Sequence, residues 1–324
     1  METVNLGRCG LRVSRLCLGT MLFGSQLDET ASVAVMDTAL ELGIDFLDTA
    51  NNYPAPLGLT TAGRSEEIVG RWLRGKRERV VVATKCAMRV GRGPNDAGGS
   101  RKHVVEACEQ SLKRLQTDRI DVFFLHVPEL GAPLEETFEA LDHLVRQGKV
   151  LYVGVSNFET WRMALAFQVI AERRLVPIVA HQPCYNLLDR LAERELLPLC
   201  RAAGLGVVPY NPLGAGMLTG RYRRGESPPE NSRFAQGAWG QKYQARYSSD
   251  RMFDVAEAIT AVACAESMTP AQVALAWLLN RDGVTAPIVG ASRPEQLRDC
   301  SGAVGRRLSP ETLTQLDEVS AIFV

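Results

Sequence analysis

The sequence predicts an α/β fold: a (β/α)8 barrel of the TIM type, with an N-terminal β-hairpin capping the barrel bottom. Three observations predict it. Eight short apolar runs recur along the chain, helical patterns fill the intervals, and the repeat measures roughly 25–45 residues. The runs are mostly aliphatic or β-branched and lack clean alternation, as expected of parallel strands buried on both faces. A chain of 324 residues lies within the range of one such barrel, so a single domain spanning 1–324 is expected.

The first fourteen residues read as two short strands around a turn at Gly7-Arg8-Cys9-Gly10. The barrel runs follow at Leu16–Leu18, Phe46–Leu47, Val80–Ala83, Val122–Leu125, Val150–Val153, Ile178–Ala180, Gly206–Val208 and Ala286–Val289. Residues 30–42 carry Val33, Met36 and Leu40 at helical spacing and stop at Gly43. Helical patterns recur at 103–115, 134–146, 160–172 and 192–203. Thr269-Pro270 and Ser309-Pro310 each pair an N-cap with proline at the first helical position. A doubly wound sheet would place Gly-x-Gly-x-x-Gly after its first strand. This chain has Leu18-Gly19-Thr20-Met21-Leu22-Phe23-Gly24 there, which favours the barrel.

Composition narrows the function classes. The 37 basic and 37 acidic residues cancel, so nothing favours nucleic acid or an anionic membrane. No apolar run has the length of a membrane span, and Met1-Glu2-Thr3-Val4-Asn5 lacks the build of a signal peptide, so a cytoplasmic protein is expected. The eight cysteines include no Cys-x-x-Cys pair and read as free thiols, with no metal expected. Self-association into a homo-oligomer stays open. Residues 221–250, rich in Arg, Pro, Trp and Tyr, break the rhythm after the seventh strand. They read as a long loop, either a functional one over the active site or a solvated insertion.

Polar groups follow successive runs: Asp48, Lys85, His126, Asn157, Gln182 and Tyr210. In a parallel barrel all would share the C-terminal rim, where active sites form. A lysine beside an aspartate there would form a buried ion pair. A tyrosine near the ammonium would have its phenolate favoured and its pKa lowered, fitting it to donate a proton to a carbonyl oxygen. Tyr53, in the loop five residues after Asp48, is placed to be that acid, with His126 orienting the substrate.

Asp48-Thr49-Ala50-Asn51-Asn52-Tyr53, Ala83-Thr84-Lys85 and Leu125-His126 resemble the Asp-Tyr-Lys-His tetrad motifs of the aldo-keto reductases. The likeness covers nearly the whole chain: Gly63–Gly70, Gly154–Phe158, Gln182–Arg190 and Tyr210–Gly220 resemble further family segments in the family's order. The resemblance implies an NAD(P)H-dependent carbonyl reductase acting on a small-molecule aldehyde or ketone. Tyr53 would be its acid, Lys85 and Asp48 the tuning pair, and His126 the substrate orienter. Ser156, Asn157 and Gln182 would bind the nicotinamide carboxamide and Tyr210 would stack on the ring. Gly19, Thr20, Asp48, Pro212, Leu213, Gly216 and Leu218 would complete the nearer cofactor contacts. Gly290, Ser292, Arg293, Gln296 and Cys300 would hold the adenosine end, with Arg293 on the 2′-phosphate giving NADPH preference over NADH. Cys300 departs from the family's usual asparagine. Phe23 and Trp239 would line the substrate pocket, with Met21, Phe234, Tyr243 and Trp161 as further aromatic or apolar candidates.

Histidine at 126 favours carbonyl chemistry, since family members that reduce steroid carbon–carbon double bonds carry glutamate there. Two alternatives stay open. One is a reductase of a nucleotide-linked deoxysugar or similar biosynthetic intermediate, including enoyl reduction. The other is a non-enzymatic regulatory subunit like those attached to potassium channels. The lack of a segment before the first hairpin argues for the enzyme.

Overall fold

The computed structural model describes residues 1–54, 59–128, 131–230 and 232–324. Strands β1 (Thr3–Asn5) and β2 (Arg12–Ser14) form an antiparallel hairpin, with Thr3 opposite Ser14. Eight strands then make one parallel sheet: β3 (Cys17–Gly19), β4 (Phe46–Asp48), β5 (Val81–Cys86), β6 (Ile120–Leu125), β7 (Val150–Ser156), β8 (Ile178–Gln182), β9 (Gly206–Val207) and β10 (Ile288–Gly290). Each pairs with its sequence neighbour, and β10 returns to β3. A bridge between Val207 and Val284, with Thr285 N–H donating to the Val207 carbonyl at 2.8 Å, brings the last pair of edges together. The sheet is a TIM-type barrel, as the sequence predicts.

The helices are α1 (Glu29–Glu41), α2 (Arg64–Leu73), α3 (Arg101–Leu115), α4 (Leu134–Arg146), α5 (Thr160–Arg173), α6 (Leu196–Ala203), α7 (Gly237–Tyr247), α8 (Asp250–Ala265), α9 (Pro270–Leu279), α10 (Pro294–Ser301) and α11 (Pro310–Val319). Their starts follow from local chemistry. Asp28 accepts from the Ala31 N–H, and Thr269 and Gln272 form a reciprocal capping box ahead of α9. Ser309 accepts from Thr312 N–H at the head of α11. Both Ser/Thr-Pro caps form where the sequence places them. Among the described residues, no single helix is long and apolar enough to cross a membrane.

Strand alternation sorts the core into two layers. Phe46, Ala83, Val122, Phe124 and Ala180 point into the barrel, while Leu47, Val82, Phe123 and Leu125 pack outward against the helices. Leu6 and Val13 of the hairpin segment join the interior cluster and plug one end. That end is the strand N-termini: Arg8 N–H donates to the Gly204 carbonyl just before β9, and Ser14 N–H to Asp45 just before β4. Gly7 has a left-handed φ of 63°, and a Cβ there would sit 2.5 Å from Gly204 O. The hairpin cap depends on that close approach. At Gly154 of β7 a Cβ would meet the Phe124 ring at 2.3 Å, so the narrow interior admits no side chain there.

The segment 221–250 corrects the sequence expectation of a long loop. It contains a 3-10 turn at Arg233–Ala235 and all of α7, and α8 begins at Asp250. Phe234 and Tyr222 are buried and stack on each other at 3.9 Å and 5°, and the Tyr222 hydroxyl donates to the Ala215 carbonyl at 3.4 Å, which ties the segment to the core instead of leaving it solvated. Its glycines, Gly237 and Gly240, hide the helix from a periodicity reading.

Candidate active site

The same alternation that faces Phe46 and Ala83 inward carries Asp48 and Lys85 inward at the C-terminal rim, two residues further along β4 and β5. There the Lys85 ammonium donates to Asp48 Oδ2 at 2.5 Å and to the Thr49 carbonyl at 2.8 Å, both side chains being essentially inaccessible to solvent. Gln182 of β8 donates to Asp48 Oδ1 at 2.9 Å. Tyr53 follows β4 in a loop pinned to the head of α2: its carbonyl accepts from Gly63 N–H at 3.0 Å and Ser65 N–H at 3.4 Å. This fixes the half-buried Tyr53 ring with its centroid 5.0 Å from the Lys85 ammonium. His126, just past β6, meets it edge to face at 5.8 Å and 81°. The four residues of the sequence-derived tetrad therefore converge.

The electrostatics differ from the sequence expectation at one point. Burial pushes the Tyr53 phenol above its ordinary value, and Lys85 offsets only part of that rise. The expected lowering is not found because the site is too dry for the phenolate and the ammonium is already neutralised by Asp48. For Lys85, burial works against the charge, but Asp48 and Tyr53 outweigh it and the ammonium is held above the ordinary lysine value. Burial, reinforced by Lys85, keeps His126 well below the usual imidazole range, so its ring is neutral. Its Nδ1 is buried without a partner, and the residue lines the cleft.

A continuous cleft of about 610 Å3 runs from Tyr53 and His126 along the rim to Ser292 and Cys300. Ser156, Asn157, Gln182 and Tyr210 line it beside the tetrad. Asn157 takes a left-handed φ of 61° and locks this wall, donating to the His126 carbonyl at 2.9 Å and accepting from the Tyr210 hydroxyl at 2.9 Å. Gly19, Pro212, Leu213 and Gly216 line the middle of the cleft. The N–H groups of Gly214, Ala215, Gly216 and Leu218 are all used within the loop itself. Its positive charge comes instead from Arg221, which lines the cleft and pairs with no carboxylate among the described residues.

At the far end, Gly290, Ser292, Gln296 and Cys300 line the cleft, and Gln296 Oε1 accepts from both the N–H and hydroxyl of Ser292. Burial raises the Cys300 thiol to about 12, so it presents a neutral group. Arg293 stands exposed at the head of α10, outside the lining. Trp239 of α7 lines the mouth with Tyr243, their rings edge to face at 5.5 Å.

Several expected contacts fall elsewhere. Phe23 is fully buried in the core between strands and helices, because the turn after β3 folds it inward, and Met21 and Leu22 line the cleft in its place. Thr20 is fully buried, its hydroxyl directed to Ser65 and the Asp48 carbonyl. Leu218 is also fully buried and serves packing. Trp161 stands 57% exposed on α5, away from the cleft.

Residues 15–321 match the model of the aldo/keto reductase family. The chain belongs to that family. It is 40% identical to the uncharacterized oxidoreductase YrpG of Bacillus subtilis, over 98% of this chain and 96% of the relative. It is 36% identical to a probable voltage-gated potassium channel subunit beta of Oryza sativa, over 98% and 96%. It is 35% identical to the L-glyceraldehyde 3-phosphate reductase of Escherichia coli O157:H7, over 96% and 90%. As an aldo/keto reductase, the chain is an NAD(P)H-dependent oxidoreductase.

Behind the site, this aldo/keto reductase holds a polar layer that motif reading did not assign. Glu66 of α2 is fully buried, accepting from Thr84 at 2.5 Å and from Arg114 Nε at 2.7 Å. Ser65 bonds Thr20 and Thr49 hydroxyls at 2.9 and 3.1 Å. These groups brace the backbones carrying Asp48, Tyr53 and Lys85. Both residues lie in the Gly63–Gly70 segment, whose likeness to the family gave neither a role, and a carboxylate and a serine in the first turn of an amphipathic helix fit ordinary helix starts equally well.

Proposed function

We propose that this aldo/keto reductase reduces an aldehyde or ketone to an alcohol with NADPH, using Tyr53 as proton donor. The observation that carries this reading is Tyr53, its phenol kept neutral by burial and its ring centroid 5.0 Å from an ammonium that Asp48 holds in place. A protonated phenol can give its proton to a carbonyl oxygen, and Lys85 then stabilises the phenolate left behind. Neutral His126 offers Nε2 to the same oxygen and orients the carbonyl.

The cleft suits a dinucleotide in three respects. It is elongated, it is polar beside the tetrad, and at Gly290 the space a Cβ would occupy is open. Asn52 Oδ1 is a further unpartnered acceptor at the tetrad end. Ser156, Asn157 and Gln182 would hold the nicotinamide amide, Tyr210 the ring, Arg221 the pyrophosphate, and Ser292, Gln296 and Cys300 the adenosine. NADPH, when bound, supplies the hydride that reduces the carbonyl carbon. Among relatives, the Escherichia coli protein is named for a phosphorylated aldehyde, so small hydroxyaldehydes are the first compounds to screen. NADPH consumption by the purified chain with an aldehyde panel tests the reading. No turnover with any member would favour the channel-subunit role named for the rice relative.

The pKa directions set the pH profile. Tyr53 lies above 10.0 and His126 well below 6.5, so neither changes charge near neutrality. We expect kcat for reduction to stay flat from about pH 6.5 to about pH 9.5 and to fall above about pH 10, as the donor loses its proton. An inflection near pH 7 would exclude this assignment.

Arg293 sets the cofactor preference in this reading. Arg293→Ala should weaken NADPH binding by about 10- to 100-fold, the worth of a charge-assisted phosphate contact, and NADH binding far less. Fluorescence titration of both cofactors measures it, and equal losses would remove the 2′-phosphate contact.

A further inference from the structure

The loop between β4 and Tyr53 carries two asparagines with different fates. Its backbone is tied to β5 and to itself. Thr49 N–H donates to the Ala83 carbonyl at 2.9 Å, Asn51 N–H to the Lys85 carbonyl at 3.1 Å, and Tyr53 N–H to the Ala50 carbonyl at 3.1 Å. Asn51 is buried behind the rim, whereas Asn52 lines the cleft next to Tyr53. The Asn52 amide makes no hydrogen bond with the described residues, and its Oδ1 is buried without a partner. Every other carboxamide lining the cleft is engaged: Gln26 with Gln236, Asn157 with Tyr210, Gln182 with Asp48, Asn211 with Tyr247 and Gln296 with Ser292.

We propose that Asn52 recognises a hydroxyl on the carbon next to the substrate carbonyl, which makes α-hydroxyaldehydes and α-hydroxyketones the preferred substrates. This rests on the reductase reading above and names its substrate class. Consecutive Cα atoms lie about 3.8 Å apart, so an oxygen held by Tyr53 and a group held by Asn52 fall within the span of one small molecule. The amide offers one N–H edge and one oxygen, and a half-turn of its last torsion exchanges them. A hydroxyl both donates and accepts, so it satisfies whichever edge faces the cleft. Met21, Met88 and Val127, which line the same cleft, offer an alkyl substituent no hydrogen bond. An analogue without the hydroxyl leaves the amide unpaired in the closed complex, and that difference is what discriminates. The amide serves no partner in the fold, so its removal separates recognition from stability.

The test compares kcat/KM for lactaldehyde against propanal, and for hydroxyacetone against propanone, in wild type, Asn52→Leu and Asn52→Ser. The expected result is a hydroxylated-to-plain ratio that falls about 10- to 100-fold in Asn52→Leu and is partly retained in Asn52→Ser. Tm of Asn52→Leu should not fall, since the substitution removes an unpaired acceptor and breaks no bond. An unchanged ratio in both pairs would overturn the proposal. So would an equal loss on both members of each pair, which would be damage to the chemistry. A matching loss of NADPH affinity would overturn it too and assign Asn52 to the cofactor. If wild type reduces none of the four compounds, the reductase reading fails separately. Titration of the NADP+-loaded protein with propylene glycol and with propanol then decides Asn52: tighter binding of the diol that is lost in Asn52→Leu supports it, and no preference for the diol in wild type overturns it.

Discussion

Tyr53→Phe is expected to lower kcat for carbonyl reduction by about 10²–10⁴-fold, the range for losing a positioned general acid. The substitution removes one oxygen and keeps the ring that packs edge to face on His126, so the cleft wall should survive. Ser156, Asn157 and Gln182, bonded to one another and to Asp48, do not depend on the phenol. NADPH affinity should therefore stay within about twofold, placing the loss in the transition state and not in ground-state binding. A second signature is sharper. The wild-type fall above about pH 10 belongs to the phenol, so the residual activity of Tyr53→Phe should lack it. Steady-state rates across pH, beside a cofactor titration, measure both. Full activity in the variant would assign the proton to another group, and a collapse of NADPH binding would make Tyr53 a cofactor contact.

The barrel was legible in the sequence because its strands are apolar on both faces, and their order follows from eight runs in series. Their ends were not. β5, β7 and β8 run on through Lys85, Ser156 and Gln182, where the hydrogen-bond ladder continues after the apolar pattern has stopped. That mismatch has a physical cause: the last strand residues turn polar because they face the cleft. The convergence of the tetrad was legible for a related reason: Asp48 and His126 lie one residue beyond an apolar run and Lys85 two, and Tyr53 follows in the loop after Asp48. Phe23, Thr20 and Leu218 failed because adjacency to a rim motif does not say which way a side chain points. The α7 helix was hidden by two glycines. The lowering expected for Tyr53 failed on magnitude: the ion pair with Asp48 left Lys85 too little influence to overcome burial.

The ion pair itself carries the second large effect. Lys85→Met should leave Asp48 Oδ2 buried without its donor, at a cost of about 3–5 kcal/mol. For a chain of this length that corresponds to a fall in Tm of about 5 °C. Activity should fall with it, by about 10²-fold or more, since nothing then stabilises the phenolate formed at Tyr53. Asp48→Asn/Lys85→Met separates the two effects. With both charges gone the desolvation penalty disappears, so Tm should recover most of its loss while activity does not. The pH dependence follows from the direction of the Lys85 shift. Its pKa is raised above 10.5 in the folded chain, so the stability linked to that shift is fully present below the unfolded lysine value. It is lost only as pH rises through the folded value. The Tm difference between wild type and Lys85→Met should thus be constant from about pH 6 to about pH 9 and shrink above about pH 10.5. Calorimetry across that range measures it. An unchanged Tm in Lys85→Met would show that water or a rearranged donor satisfies Asp48, and a double variant as unstable as the single would place the cost in packing of the lysine stem and not in the stranded charge.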